Sequence, residues 1–176
     1  MTKQKIETIA IQAGRNYNTE TGAVMPPIHL STTFVRGNEG DFVYSRTGNP
    51  NRQALEACLT DLEGGAGAIA FSSGMAAVAG VFQSLSQGDH VILPDDTYFG
   101  VRELVTNLLS RWGLEHTLVD MTDLLAVKAA IQSKTRLVWI ETPSNPMLKI
   151  TDISAVASLS HERGAMLGVD GTWATP

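Results

Sequence analysis

The sequence predicts an α/β fold, a mostly parallel sheet flanked by helices, on three observations. Short apolar runs alternate with longer runs of helical period from residue 66 to residue 170, the pattern of repeated βαβ units. Gly, Pro, Asp and Ser punctuate the joins between them. A length of 176 residues with 18% charged residues can bury a core and does not read as disordered.

Residues 1–48 carry no sustained periodicity. They hold Pro26-Pro27 and a turn-like Arg46-Thr47-Gly48-Asn49-Pro50. With too few apolar residues for a core of their own, they read as an extended arm. Residues 49–176 read as the sheet-bearing domain. It opens with a helix, because Ala54, Leu55, Cys58, Leu59 and Leu62 recur at helical spacing and Gly64-Gly65 ends the run. Next come a short buried strand over 66–71, an apolar helix over 74–85, a strand over 90–93 and a helix over 101–112. The alternation continues as strand 114–119, helix 124–131, strand 136–141, helix 153–163 and a closing strand over 165–170. Such strands form a parallel sheet covered on both faces.

Composition excludes several classes of function. With 13 Lys+Arg against 18 Asp+Glu, there is no basic patch for nucleic acid. No apolar run reaches the ~18 residues of a membrane span. A single cysteine excludes an internal disulfide and any multi-cysteine metal site. Cys58 lies on the apolar stripe of its helix and reads as an inert core residue. His29, His90, His116 and His161 are scattered without ligand spacing, so no metal site is expected and structural or surface roles are. Residues 1–13 mix charged and polar residues with apolar ones and make no signal peptide. The expectation is a soluble protein of a reducing compartment, the cytoplasm.

In open parallel sheets, ligands collect at the carboxyl ends of the strands. Those ends are Ser72-Ser73-Gly74, Asp95-Asp96-Thr97-Tyr98, Glu141-Thr142 and Asp170. Ser73-Gly74-Met75 between strand and helix suits an anion cradle, and equally a plain helix cap. Tyr98 could stack on a planar ring or cover the helix it begins. Asp170 could be a solvated loop residue, a cap, a metal ligand or the partner of a ring nitrogen. Together, an anion cradle, a flat aromatic and a carboxylate suit a phosphorylated heteroaromatic cofactor. The dinucleotide-like Gly65-Ala66-Gly67-Ala68-Ile69-Ala70, with Asp89 roughly twenty residues on, follows a helix and opens a strand, the reverse of what that motif needs. No P-loop, G-x-S-x-G or H-E-x-x-H occurs.

Tyr44-Ser45-Arg46 with Asn49-Pro50, Ser72-Ser73-Gly74-Met75-Ala76, Asp96-Thr97-Tyr98, Glu141-Thr142-Pro143-Ser144-Asn145-Pro146 and Val169-Asp170-Gly171-Thr172 follow one another in order. In them the chain resembles the Cys/Met-metabolism (transsulfuration) family of pyridoxal-phosphate enzymes: cystathionine γ-synthase, cystathionine γ-lyase, cystathionine β-lyase and methionine γ-lyase. The resemblance spans nearly all of the sequence and implies the type I fold of these transferases, with the large domain incomplete. It implies pyridoxal 5'-phosphate as cofactor. Gly74 and Met75 would bind its phosphate, and Tyr98, the candidate catalytic residue among those present, would stack on its ring. Asp170 would pair with the ring nitrogen, Asn145 would lie near the ring oxygen and Thr172 near the other edge. Tyr44 and Arg46 would reach the phosphate of a neighbouring subunit, so a homo-oligomer is implied, a dimer at the active site and a tetramer overall. The substrate would be a sulfur amino acid or an activated homoserine, undergoing β- or γ-elimination or replacement.

Three departures qualify the family pattern. The family's cofactor-bonding lysine, in a Ser-x-Thr-Lys segment, and its substrate-carboxylate arginine both lie beyond Pro176. None of Lys3, Lys5, Lys128, Lys134 and Lys149 stands in the Ser-x-Thr-Lys context, and Lys149 reads as solvated. The chain alone is therefore expected to be inactive. Gly171 stands where the family usually has Asn. Glu103, beside Arg102, stands five places after Tyr98, where many members have Arg. The rival expectations are another type I enzyme such as an aminotransferase, a non-catalytic binding or dimerisation module, and, on the misplaced glycines alone, a nicotinamide-binding domain.

Overall fold

The computed structural model describes residues 4–15 and 18–175. The chain divides into two compact units between Phe71 and Ser72, and each is described by itself. Lys3 lies outside the described residues.

Among its described residues the first unit holds two helices, α1 (Ile6–Gln12) and α2 (Pro50–Glu63). The short α1 falls where the sequence reads as an arm without structure of its own. Two signals start α2: Asn49 accepts from the Asn51 amide at 2.8 Å, and Pro50 occupies the first helical position, where no N–H is needed. Between the helices the chain runs irregularly, with one antiparallel bridge between Thr33 and Tyr44. Polar contacts shape it. The Arg52 guanidinium donates to the carbonyls of Ser45, Arg46 and Thr47 and pairs with Glu56 at 3.6 Å. Residues 66–71, expected as a strand, form none; the Ala70 amide donates instead to Glu56 Oε1 at 3.0 Å. An apolar run becomes a strand only when a neighbour pairs with its backbone. No described residue pairs with this one, and Ile69 is 77% exposed. Cys58 is half-buried rather than core.

The second unit is the expected parallel sheet. It opens with α3 (Gly74–Phe82), followed by strand β1 (His90–Pro94) and helix α4 (Phe99–Glu103). A π-helical turn (Leu104–Leu108) and a 3-10 turn (Leu109–Trp112) continue α4 where one regular helix was expected. The Thr106 and Ser110 hydroxyls donate to the carbonyls four residues back, competing with the regular ladder. Then come β2 (Glu115–Val119), α5 (Leu124–Ala130), β3 (Thr135–Glu141), α6 (Ile153–His161) and β4 (Met166–Asp170). The sheet order is β2-β1-β3-β4, and every pairing is parallel.

Side chains alternate between two core layers. Val91, Leu93, Leu137 and Trp139 pack with Val78 and Phe82 of α3 and Val101 of α4. Ile92, Val138 and Ile140 face the other way, onto Val127 of α5 and Val156 of α6. The central strands β1 and β3 are thus buried on both faces, and this is why their sequences read as unbroken apolar runs. Gly168 of β4 lies opposite Trp139, and a Cβ there would sit 2.7 Å from the indole, so the glycine makes room for the ring. At the amino ends of the strands, His90 is buried and bridges Thr135 Oγ1 (2.8 Å) and Thr117 Oγ1 (2.9 Å), a structural role. Burial holds its pKa below the ordinary value.

Candidate functional site

At the opposite, carboxyl ends of the strands the second unit opens a cavity of about 430 Å3. Its wall starts at α3. Ser73 caps that helix, accepting from the Ala76 amide at 3.1 Å. The amides of Gly74 and Met75, in the first turn, have no acceptor within the helix, and the helix dipole leaves that end positive. Both residues line the cavity, and Val78, one turn on, supplies apolar surface beside Val101. The cap and the free amides coexist, so the two sequence readings of this segment do not exclude each other.

Tyr98 forms the aromatic side of the cavity. Its ring lies against Gly100: a Cβ on that glycine would come within 2.8 Å of Tyr98 Cε1 and 2.9 Å of Met75 Sδ. The ring is therefore seated where only glycine leaves space beneath it. Its backbone is held as well, because the Tyr98 amide donates to Glu141 Oε2 at 2.7 Å. Glu141, the last residue of β3, is only 4% exposed and also accepts from the Thr97 hydroxyl at 3.1 Å. Burial pushes its pKa up. The donors from Tyr98, Thr97 and the Asn145 amide pull it back, and the charge of Asp170 opposes ionisation further.

Asp170 ends β4 beside Glu141 in the register of the sheet. Its Oδ1 accepts from the Thr172 amide (3.1 Å) and the Thr172 hydroxyl (2.6 Å), which fixes the plane of the carboxylate. Asn145 reaches the cavity from the loop after β3. That loop contains cis bonds before Pro143 and Pro146. It is tied down by Ser144, whose hydroxyl accepts from the Lys149 amide at 3.0 Å and donates to Asp96, and by the Thr151 amide on Thr142 Oγ1 at 3.1 Å.

The cavity thus brings together Gly74, Met75, Tyr98, Asn145, Asp170 and Thr172, all six sequence candidates of this unit. It adds Glu141 and Trp173, to which the sequence reading assigned no role. Tyr44 and Arg46 belong to the first unit, where the Arg46 guanidinium sits 4.8 Å from the centroid of the Tyr44 ring. Lys149 is not free in solvent: it pairs with Asp120 at 2.9 Å and Asp95 at 3.3 Å. Hydrogen bonds from Thr122, assisted by Lys149, bring the Asp120 pKa down to about 2. Arg102 donates to the Asp95 carbonyl and Glu103 accepts from Asn107 at 2.6 Å, so neither points chemistry at the cavity. No lysine lines the cavity among the described residues, no grouping there has the makings of a metal site, and no helix of the structure is long and apolar enough to cross a membrane. A larger cavity of about 560 Å3 in the first unit is lined by α1, the residues after it and Asp61. It lacks the convergence of helix amides, aromatic ring and carboxylate.

A family model described as Cys/Met metabolism PLP-dependent enzyme matches residues 7–176. Cystathionine γ-synthase of Mycobacterium tuberculosis is 50% identical over 174 residues, covering 96% of this chain and 45% of that protein. Cystathionine γ-lyase of Dictyostelium discoideum is 45% identical over 176 residues, covering 98% and 46%. The crystal structure of metB from Corynebacterium glutamicum superposes with a TM-score of 0.94 at 43% identity, covering 98% of this chain and 46% of that one. The chain spans less than half the length of these relatives.

Proposed function

The chain belongs to the Cys/Met metabolism PLP-dependent enzyme family and carries the N-terminal part of its type I fold; from that premise we propose that the cavity at the strand ends of the second unit is the seat of pyridoxal 5'-phosphate. The observation that carries this reading is the convergence of two unpartnered helix amides, an aromatic face and an oriented carboxylate on one cavity. The donor set fits the cofactor's chemistry. The Gly74 and Met75 amides would hold the phosphate at the positive end of α3. The Tyr98 ring would cover the pyridine and keep water from it. Thr172 holds Asp170 Oδ1, and the carboxylate would accept from the ring nitrogen and keep its proton in place. Asn145 and Thr172 would hold the ring at its edges. When bound, the cofactor supplies the electron-accepting ring that makes the Cα proton of an amino-acid substrate removable.

The reaction of the whole protein is elimination or replacement at Cβ or Cγ of cystathionine, a related sulfur amino acid or an activated homoserine. Tyr44 and Arg46, in the first unit, act on the phosphate of a neighbouring copy in a homo-oligomer. We infer that the described residues alone do not turn over, since no lysine among them lines the cavity to bond the cofactor or carry the Cα proton. Release of thiol or α-keto acid from cystathionine by this chain with added cofactor would contradict that statement.

The test of the binding site is titration with pyridoxal 5'-phosphate, read by the induced circular dichroism of the cofactor band. The chain is expected to show a saturable signal that Asp170→Ala removes. An absent signal, or one indifferent to Asp170, overturns the assignment.

A further inference from the structure

We propose that Glu141 is a positioning residue for the aromatic wall of the cavity: by accepting from the Tyr98 amide and the Thr97 hydroxyl, its buried carboxylate fixes where the Tyr98 ring stands. This rests on the reading of the cavity as a cofactor site. A carboxylate is a costly thing to bury, and an apolar residue of similar volume would pack the end of β3 more favourably. What an apolar residue could not do is hold the loop between β1 and α4. The donors on that loop, Thr97 and Tyr98, lie 44 and 43 residues upstream of Glu141, at 3.1 and 2.7 Å. Tyr98 is the N-cap residue of α4, and the partner of its amide is Glu141 Oε2.

The ring has few other restraints. It is 44% exposed and rests on the bare face of Gly100 beside Met75. A shift of the Tyr98 backbone would carry the ring off that seat. Glu141 also neighbours Asp170 across the β3–β4 register. One side chain therefore ties the loop of the aromatic ring to the end of β3, next to the carboxylate of Asp170. Burial and the charge of Asp170 both oppose its ionisation, and the Tyr98 and Thr97 donors offset them.

Two readouts on the chain and its Glu141→Ala, Glu141→Gln and Thr97→Val variants test this. Amide hydrogen exchange without cofactor reports the clamp on its own. Removing a hydrogen bond to a charged group should speed exchange at Tyr98 by about tenfold or more in Glu141→Ala, while Ile92 and Val138 in the central strands keep their protection. Glu141→Gln keeps an acceptor and should restore most of the protection. Thr97→Val leaves the Tyr98 bond intact and should change exchange by less than about threefold. The second readout is the induced circular dichroism of bound pyridoxal 5'-phosphate, expected to fall in Glu141→Ala and recover in Glu141→Gln. Unchanged Tyr98 exchange in Glu141→Ala overturns the proposal. Should that variant not fold, fast Tyr98 exchange in the parent chain, or in Glu141→Gln, overturns it. If the parent chain binds no cofactor while the exchange pattern holds, the cofactor reading fails and the clamp stands.

Discussion

The two units of this chain are held together by different means. In the second, β1 and β3 lie between two layers of side chains, and Val91, Ile92, Leu93, Val138 and Ile140 are sealed from solvent. In the first, neither helix has a buried residue, and Ile28 and Leu30 are 83% and 91% exposed. Its shape comes from polar contacts: the Asn49 cap, the Arg52 fork on three carbonyls, and Asn38, whose side chain binds the carbonyls of Val35 and Phe42. Such bonds exchange with water at small net gain, whereas burial of apolar surface does not. The difference teaches that the second unit carries the stability and the candidate chemistry of the chain. The first presents apolar surface of the kind that marks an interaction site, in keeping with the proposed reach of Tyr44 and Arg46 to a neighbouring copy.

Core truncation is the harshest way to break this comparison. Ile140→Ala should cost about 2–5 kcal/mol in chemical denaturation, and Leu30→Ala should stay within about 0.5 kcal/mol of the parent. Equal costs would mean that the first unit has a core too. Overpacking comes next: Gly168→Ala forces a methyl against the Trp139 indole and should cost about 1–3 kcal/mol by the same assay. Gly100→Ala should weaken cofactor binding in the pyridoxal 5'-phosphate titration, because the added methyl meets the Tyr98 ring and Met75 Sδ, both on the cavity wall.

Acid should act on the second unit through His90. Its folded pKa lies below its ordinary 6.5, so the unfolded chain takes up the proton first as pH falls. The His90 contribution is thus complete above about pH 6.5 and declines as pH drops through the lowered folded value. Denaturation midpoints followed downward from neutral pH should fall, and His90→Gln should flatten that slope while lowering stability overall. A modest effect is expected in the first unit, where Asn49→Ala removes the cap of α2 for about 1 kcal/mol, seen as loss of helical circular dichroism.

The same contrast decides how much was legible in advance. Period and punctuation suffice for β1 to β4, α5 and α6, because each is amphipathic or buried inside one unit, but not for the π and 3-10 turns that follow α4. The segment 66–71 has strand-like residues, but strand pairing is a property of two segments, and composition states only one of them. The short α1 carries no apolar stripe facing a core, so no periodicity announces it. Six residues that line the cavity were legible from strand ends and motif order. Glu141 was visible as a strand end and as the first residue of a motif, but without a role; its partners lie more than forty residues away, and only the sheet register brings them near. Trp173 was hidden likewise, since the turn after Asp170 decides which side chain faces inward. Lys149 read as a free surface cation, and two aspartates from distant strand ends hold it.

The central claim is that the candidate chemistry sits at the strand ends of the second unit. Residue-resolved amide exchange with and without pyridoxal 5'-phosphate tests it most directly. Protection should appear at Gly74 and Met75 and around Asp170 and Thr172. Protection confined to the larger cavity around Ala13 and Asp61, with those four residues unchanged, would contradict it.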